Sequence, residues 1–558
     1  MVNLSPELLV SKGLFPENLP PIYTTKDIWA ALFPQESAYC VTSKMVGDLC
    51  IYNASKRGGQ RRLFGIPHPL FIKDQGLFFE KHWTDLQPLF YAASGSVSSP
   101  ILDDAGPRHI RITPHQELPA LRLKRLSRFK YCLIADVSRF YPSIYTHSFP
   151  WAINGKGASK KDQKPNSAVV FGNKLDFIIR QAQSKQTTGI PVGPDASKIS
   201  AEILMSAVDK RFIKISGKKL PVVYVRHVDD YWVGGNTQDE CEKHLQNLRL
   251  ALKDYQLDIN ETKTRIISTK YVFAENWPSE LEEEVRQSLT RGGTLSKLDP
   301  ISTFGKVIDR ATRDNDEGII KRVIHVIDEN RLWSSKWDIL EHFLAQCAVQ
   351  FPHSFDYVAR VIAWRIRTKK QFDGALWIEI ARVLASQAGM LGRDSEVVWA
   401  IWLLKEMKQR IPKTLSDTLL ANSSSLVLSL LAHFPKHKLA SGKNVYSSMR
   451  DIVDGDPFAG AFWPLTLELT HLAEEDSKWS SSTAAESLRS LHNAKVSIID
   501  WDAPPKVFSE GPRIGGDGGT DGPDYAIEDF GSDYGEESEE EGDEDSEAPE
   551  WPDLSDSL

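Results

Sequence analysis

The chain has 558 residues, 41% hydrophobic and 25% charged, which is too many for one ordinary core, so two or three domains are expected. No run of about 18 apolar residues occurs, and no basic start leads into an apolar segment. Membrane spanning and secretion are therefore not expected, and a cytoplasmic location is. The net charge of -8 is uneven: residues 510–558 carry 19 acidic residues and Arg513, whereas residues 1–509 hold 66 basic against 56 acidic, a net +10 that favours a nucleic-acid partner.

Five cysteines without C-x-x-C spacing argue against a disulfide frame or a zinc ribbon. In chain order, residues 1–55 form an N-terminal extension with a loop, "PENLPPIY", and a short helix, "TTKDIWAALF". Residues 56–275 mix strand and helix signals. "YCLIADV" and "VVYVRHV" read as strands. "DASKISAEILMSAVDKRF" reads as a helix with Ile199, Ile203, Leu204, Ala207 and Val208 on one face and Asp195 near its start. The mixture predicts an α+β sheet with helices packed on it.

Over 276–506 the strand signal fades. "WDILEHFLAQCAVQF", "SFDYVARVIAWRIR", "ALWIEIARVLASQAGML" and "EVVWAIWLLKEMKQRI" are consecutive amphipathic helical patterns, predicting stacked helical hairpins or a small solenoid. Residues 507–558 are rich in Gly, Asp, Glu and Ser and too poor in apolar residues to offset their ordering entropy, so a disordered acidic tail is expected. It serves either as a solubilising segment or as a polyanion competing with nucleic acid for the basic body.

The stretch "VVYVRHVDDYWVGG" (222–235) places Asp229 and Asp230 within strand-forming residues, where an unpaired buried charge is costly. A strand–turn–strand reading moves Val228, Asp229 and Asp230 to a hairpin tip, and taken alone this remains an ordinary Asp-rich turn or a catalytic pair. A second apolar strand, "YCLIADVSRFYPSIY" (131–145), ends on Asp136. Two carboxylates about 4 Å apart repel by roughly 4 kcal/mol at an effective dielectric near 20. Three acids meeting at one sheet edge would therefore need cations, and Mg²⁺ with oxygen ligands suits two-metal phosphoryl transfer.

The ordered segments "ADVSRFYPSIYTHSFPWAI", "QTTGIPVGPDASKISAEIL", "RHVDDYWVG" and "LDINETKT" resemble motifs A to D of reverse transcriptases. More narrowly, "RRLFGIPHP", "SRFYPSIYTHSFPWAI" and "GIPVGPDAS" resemble the Abi/unknown group of prokaryotic, defence-associated reverse transcriptases. The resemblance covers about residues 56–275 and implies fingers and palm. It also implies an all-α, HEAT-like helical-repeat domain after them. It makes Asp136, Asp229 and Asp230 catalytic metal ligands for Mg²⁺, with the Val137 carbonyl as an extra ligand, and Lys263 a general acid near the departing pyrophosphate. Tyr141 falls where a ring checks the sugar 2′ carbon, so dNTPs are the expected substrates; Gly189, Pro191 and Gly193 form the loop under the template base and nucleotide. Arg108 and Arg111 in "PRHIRI" would grip the triphosphate. Without the resemblance, Tyr141 reads as core packing and Lys263 as a solvated charge, and the arginines read equally as one face of an exposed strand. The basic stretches "SKRGGQRR", "RLKRLSRFK" and "NGKGASKKDQK" read either as solvated faces or as contacts to a nucleic-acid backbone.

Two departures stand out. His227 replaces the usual Tyr of the third motif, where it would contact the primer end. "QTTGIPVGP" also lacks the usual Q-G and S-P, so handling of the template base differs. Members of this branch synthesise DNA from a non-coding RNA or without a template and prime from a protein tyrosine; candidates here are Tyr23, Tyr39, Tyr525 and Tyr534. Relatives form homo-oligomers through their helical repeats, implying a trimer or hexamer. The reading from another class is a catalytically silent nucleic-acid-binding scaffold acting through the helical half.

Overall fold

The computed structural model describes residues 4–32, 39–91, 95–272, 277–290, 299–453, 456–481 and 486–505. The acidic tail, with Tyr525 and Tyr534, lies outside the described residues. Strands β1 (Cys50–Ser55) and β2 (Arg61–Ile66) pair antiparallel from Cys50↔Ile66 to Ser55↔Arg61. Gly58 and Gly59, at φ +66° and +69°, make the turn between them. The hairpin thus begins inside the stretch expected as an extension. A long helix, α1 (Pro69–Tyr91), follows, and then a two-residue ladder of β3 (Ile101–Leu102) and β4 (Ile110–Arg111). Helix α2 (Leu118–Leu126) leads into the main sheet.

That sheet is antiparallel, in the order β6 (Tyr224–His227), β7 (Asp230–Gly235), β5 (Tyr131–Asp136), β8 (Arg265–Ser268). Successive side chains of a strand point to opposite faces, and residues directly opposite share one. Leu133, Ala135, Tyr224, Tyr231 and Val233 join the main core, where α3 (Asp195–Ser216) and α4 (Gln238–Lys253) pack. Cys132, Val225 and Trp232 face the other way, into a smaller cluster closed by Leu118 and Leu126 of α2. Both faces are covered over most of the sheet, which is why β5 and β7 read as apolar runs rather than alternating ones. Asp136 and Asp230 share the α2 face by the same parity, at the end of the sheet where β5 meets the β6–β7 turn.

The second half is helical from Trp277–Thr290 to Glu486–Asn493. Many of these helices touch both their successor and the next but one, giving two rows. The four quoted patterns become Trp337–Gln350, Phe355–Arg367, Gly374–Met390 and α5 (Asp394–Glu406). One expectation is corrected here: α5 is not amphipathic, because every one of its residues is buried; its centre, residues 397–404, is apolar around the circumference, and its polar residues lie at the two ends. Helix α5 packs on β1. Asn53 and Ser55 donate backbone N–H groups to Asp394 (2.8 Å) and Ser395 (2.9 Å), and Arg61 pairs with Glu396 (2.5 Å). The N-terminal segment is not a free extension either: Tyr23 bridges to Ile499, and Thr24 N donates to the Ile498 carbonyl at 2.9 Å. No helix among the described residues is long and apolar enough to cross a membrane.

Candidate active site

The β6–β7 hairpin closes through two residues, Val228 and Asp229, since His227 pairs with Asp230. Val228 takes φ +53°, a left-handed conformation that a β-branched side chain resists, at a cost of order 1–3 kcal/mol. A turn with positive φ at its first central residue matches the twist of a tight hairpin, which is why glycine is the usual occupant. The turn delivers Asp229 beside the end of β5, where Asp136 lies directly opposite Asp230 in register.

The segment 257–264 completes the group. Asn260 N donates to the Asp136 carbonyl (2.8 Å) and Ser138 N to the Asp258 carbonyl (2.8 Å), while Val137 bridges Ile259. That short pairing carries Lys263 to the carboxylates, its Nζ 3.3 Å from Asp136 Oδ2. Asp136 and Asp230 are nearly buried, at 12% and 9% exposure. Burial and the neighbouring Asp136 push the Asp229 carboxyl up to about 7, opposed by Lys263 and Arg62. Arg62, on β2, is the residue of "SKRGGQRR" whose charge favours the Asp229 anion, and nothing in the local pattern separates it from Arg57 or Arg61.

The donor set is oxygen only and negatively charged, which fits a hard divalent cation. Among the described residues no group of three or more His, Cys, Asp or Glu side chains converges enough to hold an ion. Mg²⁺ is usually held by one or two carboxylates plus substrate phosphates and water, so an open arrangement of this kind is compatible with that ion.

The loop of Gly189, Pro191 and Gly193 packs between β2 and the turn after β5. Gly189 (φ +87°) donates its N–H to the Ile144 carbonyl at 2.7 Å and accepts from Gln183 Nε2 at 2.7 Å. Ile190 N donates to the carbonyl of Tyr141, whose half-buried ring rests edge-on against Phe140. Val192 accepts from Gly65 N, and a Cβ on Gly65 would come within 3.0 Å of Pro191. Gly193 (φ +118°) accepts from Arg108 Nη2 at 2.9 Å.

Burial and ion pairing engage several of the expected residues. Arg108 is 6% exposed and does not reach out for a triphosphate; its guanidinium binds Asp195 at 2.5 Å and the carbonyl of Phe15, fixing the start of α3. Asp195 is the buried partner of that arginine; the N-cap is Pro194. Arg111 pairs with Asp103 at 3.0 Å. Of "SKRGGQRR", Arg57 pairs with Asp316 (3.3 Å) and Arg61 with Glu396, so both face the helical half rather than a nucleic acid. In "RLKRLSRFK", Arg122 lies over the Trp232 ring and Arg125 donates to the Gly95 carbonyl, leaving Lys124, Arg128 and Lys130 exposed. Lys156, Lys160, Lys161 and Lys164 of "NGKGASKKDQK" are exposed. Tyr23 donates its hydroxyl to the Leu426 carbonyl at 2.7 Å, and burial holds its pKa well above the usual range. Tyr39 lies 4.6 Å from Lys174 Nζ and is pushed by burial to about 12. His227 Nε2 lies 3.0 Å from the Thr113 carbonyl, its ring 4.1 Å from that of His115.

Paired carboxylates at the end of an antiparallel sheet, backed by helices on one face and attended by a lysine, make up the palm of a nucleic-acid polymerase. Residues 83–288 match the family model described as reverse transcriptase (RNA-dependent DNA polymerase), so the chain carries a reverse transcriptase domain. No curated protein matches. Among solved structures, apo telomerase from Candida tropicalis truncated from its C-terminal domain shares 17% identity over 44% of this chain, with a TM-score of 0.28. The match spans 56% of that chain. Telomerase from Candida albicans with a TWJ fragment of telomeric RNA shares 12% identity over 68% of this chain and 69% of its own, at 0.28. Full apo telomerase from C. tropicalis shares 13% over 77% and 75%, at 0.29.

Proposed function

We propose that the protein is a Mg²⁺-dependent DNA polymerase of the reverse transcriptase type that acts in anti-phage defence. In this reading it extends DNA from dNTPs, templated by a non-coding RNA or untemplated, and starts from a protein hydroxyl. The observation that carries the reading is Asp136 opposite Asp230, with Asp229 in the adjoining turn and Lys263 at 3.3 Å, inside a segment that matches the reverse transcriptase model. The defence role is supported by the resemblance of "RRLFGIPHP" and "SRFYPSIYTHSFPWAI" to the Abi/unknown group.

In this mechanism Asp136 and Asp229, with Asp230 beside them and the Val137 carbonyl as a further donor, would hold the cations. Bound Mg²⁺ supplies activation of the attacking hydroxyl and charge neutralisation of the triphosphate. Lys263 gives a proton to the departing pyrophosphate. The Tyr141 ring excludes a ribose 2′-hydroxyl, and the loop of Gly189, Pro191 and Gly193 supports the nascent pair. Arg62, whose charge acts on Asp229, grips the triphosphate together with Arg111 in place of the buried Arg108. For priming, a tail tyrosine (Tyr525 or Tyr534) is favoured over Tyr23, whose hydroxyl already has a partner.

The proposed division is an N-terminal segment to residue 55, fingers and palm at 56–275, a HEAT-like repeat domain at 276–506 and an acidic tail at 507–558. The protein would be cytoplasmic and a trimer or hexamer. The deciding experiment purifies the full chain with its bound nucleic acid and measures dNTP against NTP incorporation with Mg²⁺ in wild type and Asp229→Ala. Incorporation of dNTPs that disappears in D229A supports the reading, and incorporation unchanged in D229A removes the assigned site. No incorporation under any condition, co-expressed RNA included, favours the nucleic-acid-binding scaffold.

A further inference from the structure

Beneath the β6–β7 turn lies a buried polar circuit that the proposed chemistry does not use. Arg226 is fully buried in β6, between strand-forming residues. Its Nε donates to Asp209 Oδ2 (2.9 Å), and Nη1 and Nη2 donate to Glu202 Oε2 and Oε1 (2.9 and 2.8 Å). Both acids come from α3 and are buried. Nη1 also donates to the carbonyl of Val228 at 2.9 Å. The N–H of Val228 donates to Ser98 Oγ at 2.6 Å. Ser98 N donates to Ser96 Oγ (3.2 Å), and Ser96 donates to Glu202 Oε1 (2.8 Å). The bonds therefore close into a ring, Val228–Ser98–Ser96–Glu202–Arg226–Val228.

This ring grips both backbone polar groups of the one residue in the turn that holds a left-handed conformation without being glycine. A β-branched residue stays at positive φ only where its surroundings over-determine it. Asp229 follows it directly, so its carboxylate is placed by whatever fixes the Val228 peptide. A cluster needed only to anchor β6 on α3 would be complete with the Glu202 and Asp209 pairs; the further reach of Arg226 to the Val228 carbonyl, opposite Ser98 on the N–H, acts on the turn itself.

We infer that Ser98 and Arg226 are positioning residues that hold the Val228 peptide in its strained pose and thereby set Asp229 against Asp136 for cation binding. The inference rests on the metal-binding role proposed for Asp229. It predicts a specific dependence on residue 228: glycine adopts the same φ without strain, so the Val228→Gly variant should need the grip less.

The test uses the full-length protein with Mn²⁺ as the probe, its binding read by electron paramagnetic resonance, alongside thermal unfolding without metal and the kcat and KM for a dNTP. S98A should weaken Mn²⁺ binding by about 10-fold, the lower end of the loss seen when a direct partner of a metal ligand is removed, because Ser98 acts on Asp229 through the Val228 peptide. Its kcat should fall, with the dNTP KM and the fold retained. S98T, which keeps the hydroxyl, should restore binding, and the loss caused by S98A should shrink in a V228G background. R226K keeps the charge but lacks the fork that serves four acceptor atoms, and should weaken Mn²⁺ binding likewise; where it fails to fold, the Ser98 series decides. Wild-type Mn²⁺ binding in S98A, beside loss of binding in D229N, would overturn this inference alone. Unchanged binding in D229N would overturn both it and the metal reading.

Discussion

Asp229 shows how a charge is kept at the edge of an apolar sheet. A two-residue turn lifts it out of the ladder, and Lys263 and Arg62 oppose the burial and the Asp136 repulsion that push its carboxyl up to about 7. Tyr141, five residues after Asp136, is half-buried, with its carbonyl tied to Ile190. Replacing Tyr141 by Ala would remove the ring while leaving that backbone bond in place. If the ring excludes the ribose hydroxyl, Y141A should raise NTP use relative to dNTP use by ~10–200-fold, the range that one lost pocket contact provides. Competition between the two nucleotide classes in one extension reaction measures it; an unchanged ratio returns Tyr141 to plain packing.

At the scale of elements, the β1–β2 hairpin is bound to the helical half by buried polar contacts. Arg57 and Asp316 are 4% and 9% exposed, so removing one partner leaves the other charge buried. R57A should cost ~3–5 kcal/mol of stability. The R57A/D316A double variant should lose less than the sum of the single losses, read as a coupling energy in a denaturant double-mutant cycle. Asp394 makes the same joint pH-sensitive. Burial raises its pKa from 3.8 to about 6, against the N–H groups of Asn53 and Ser424 that favour the anion. A raised carboxyl pKa means that the folded state holds the proton more tightly than the unfolded chain. Its contribution to stability is therefore full below about pH 4 and is lost as pH rises through about 6. The stability of wild type relative to D394N should accordingly fall by about 1–3 kcal/mol across that window, followed by thermal unfolding at several pH values; a difference independent of pH would contradict it.

Over the whole molecule, charge divides between a basic body and an acidic C-terminal segment. Exposed Lys156, Lys160, Lys161 and Lys164 are available to a phosphate backbone, unlike Arg57 and Arg61 of the hairpin, which pair with acids of the helical half. If the acidic segment competes for such a surface, truncation after residue 506 should tighten binding of single-stranded nucleic acid at low salt and steepen its salt dependence. Each lysine then changed to Gln should reduce the slope of log K against log salt by about 1. Fluorescence anisotropy over a salt series measures both; identical curves for full-length and truncated protein would assign the tail no such role.

Local pattern determined much of the architecture. The strands ending in Asp136 and reaching Asp229, the helix from Asp195 and the helices after residue 336 all follow from apolar periodicity and turn chemistry, which act over a few residues. Tertiary structure decided the partners of the charges. Arg108 and Arg57 are written like surface arginines and Arg226 stands alone in an apolar strand, yet each is buried against acids 17 to 259 positions away, and Arg62 differs from its neighbour Arg61 only in what the fold brings near it. The physical reason is that secondary structure is set by contacts within a turn or a ladder step, whereas the state of a charge depends on whether a distant segment supplies its counter-ion, and no short stretch of sequence contains that information.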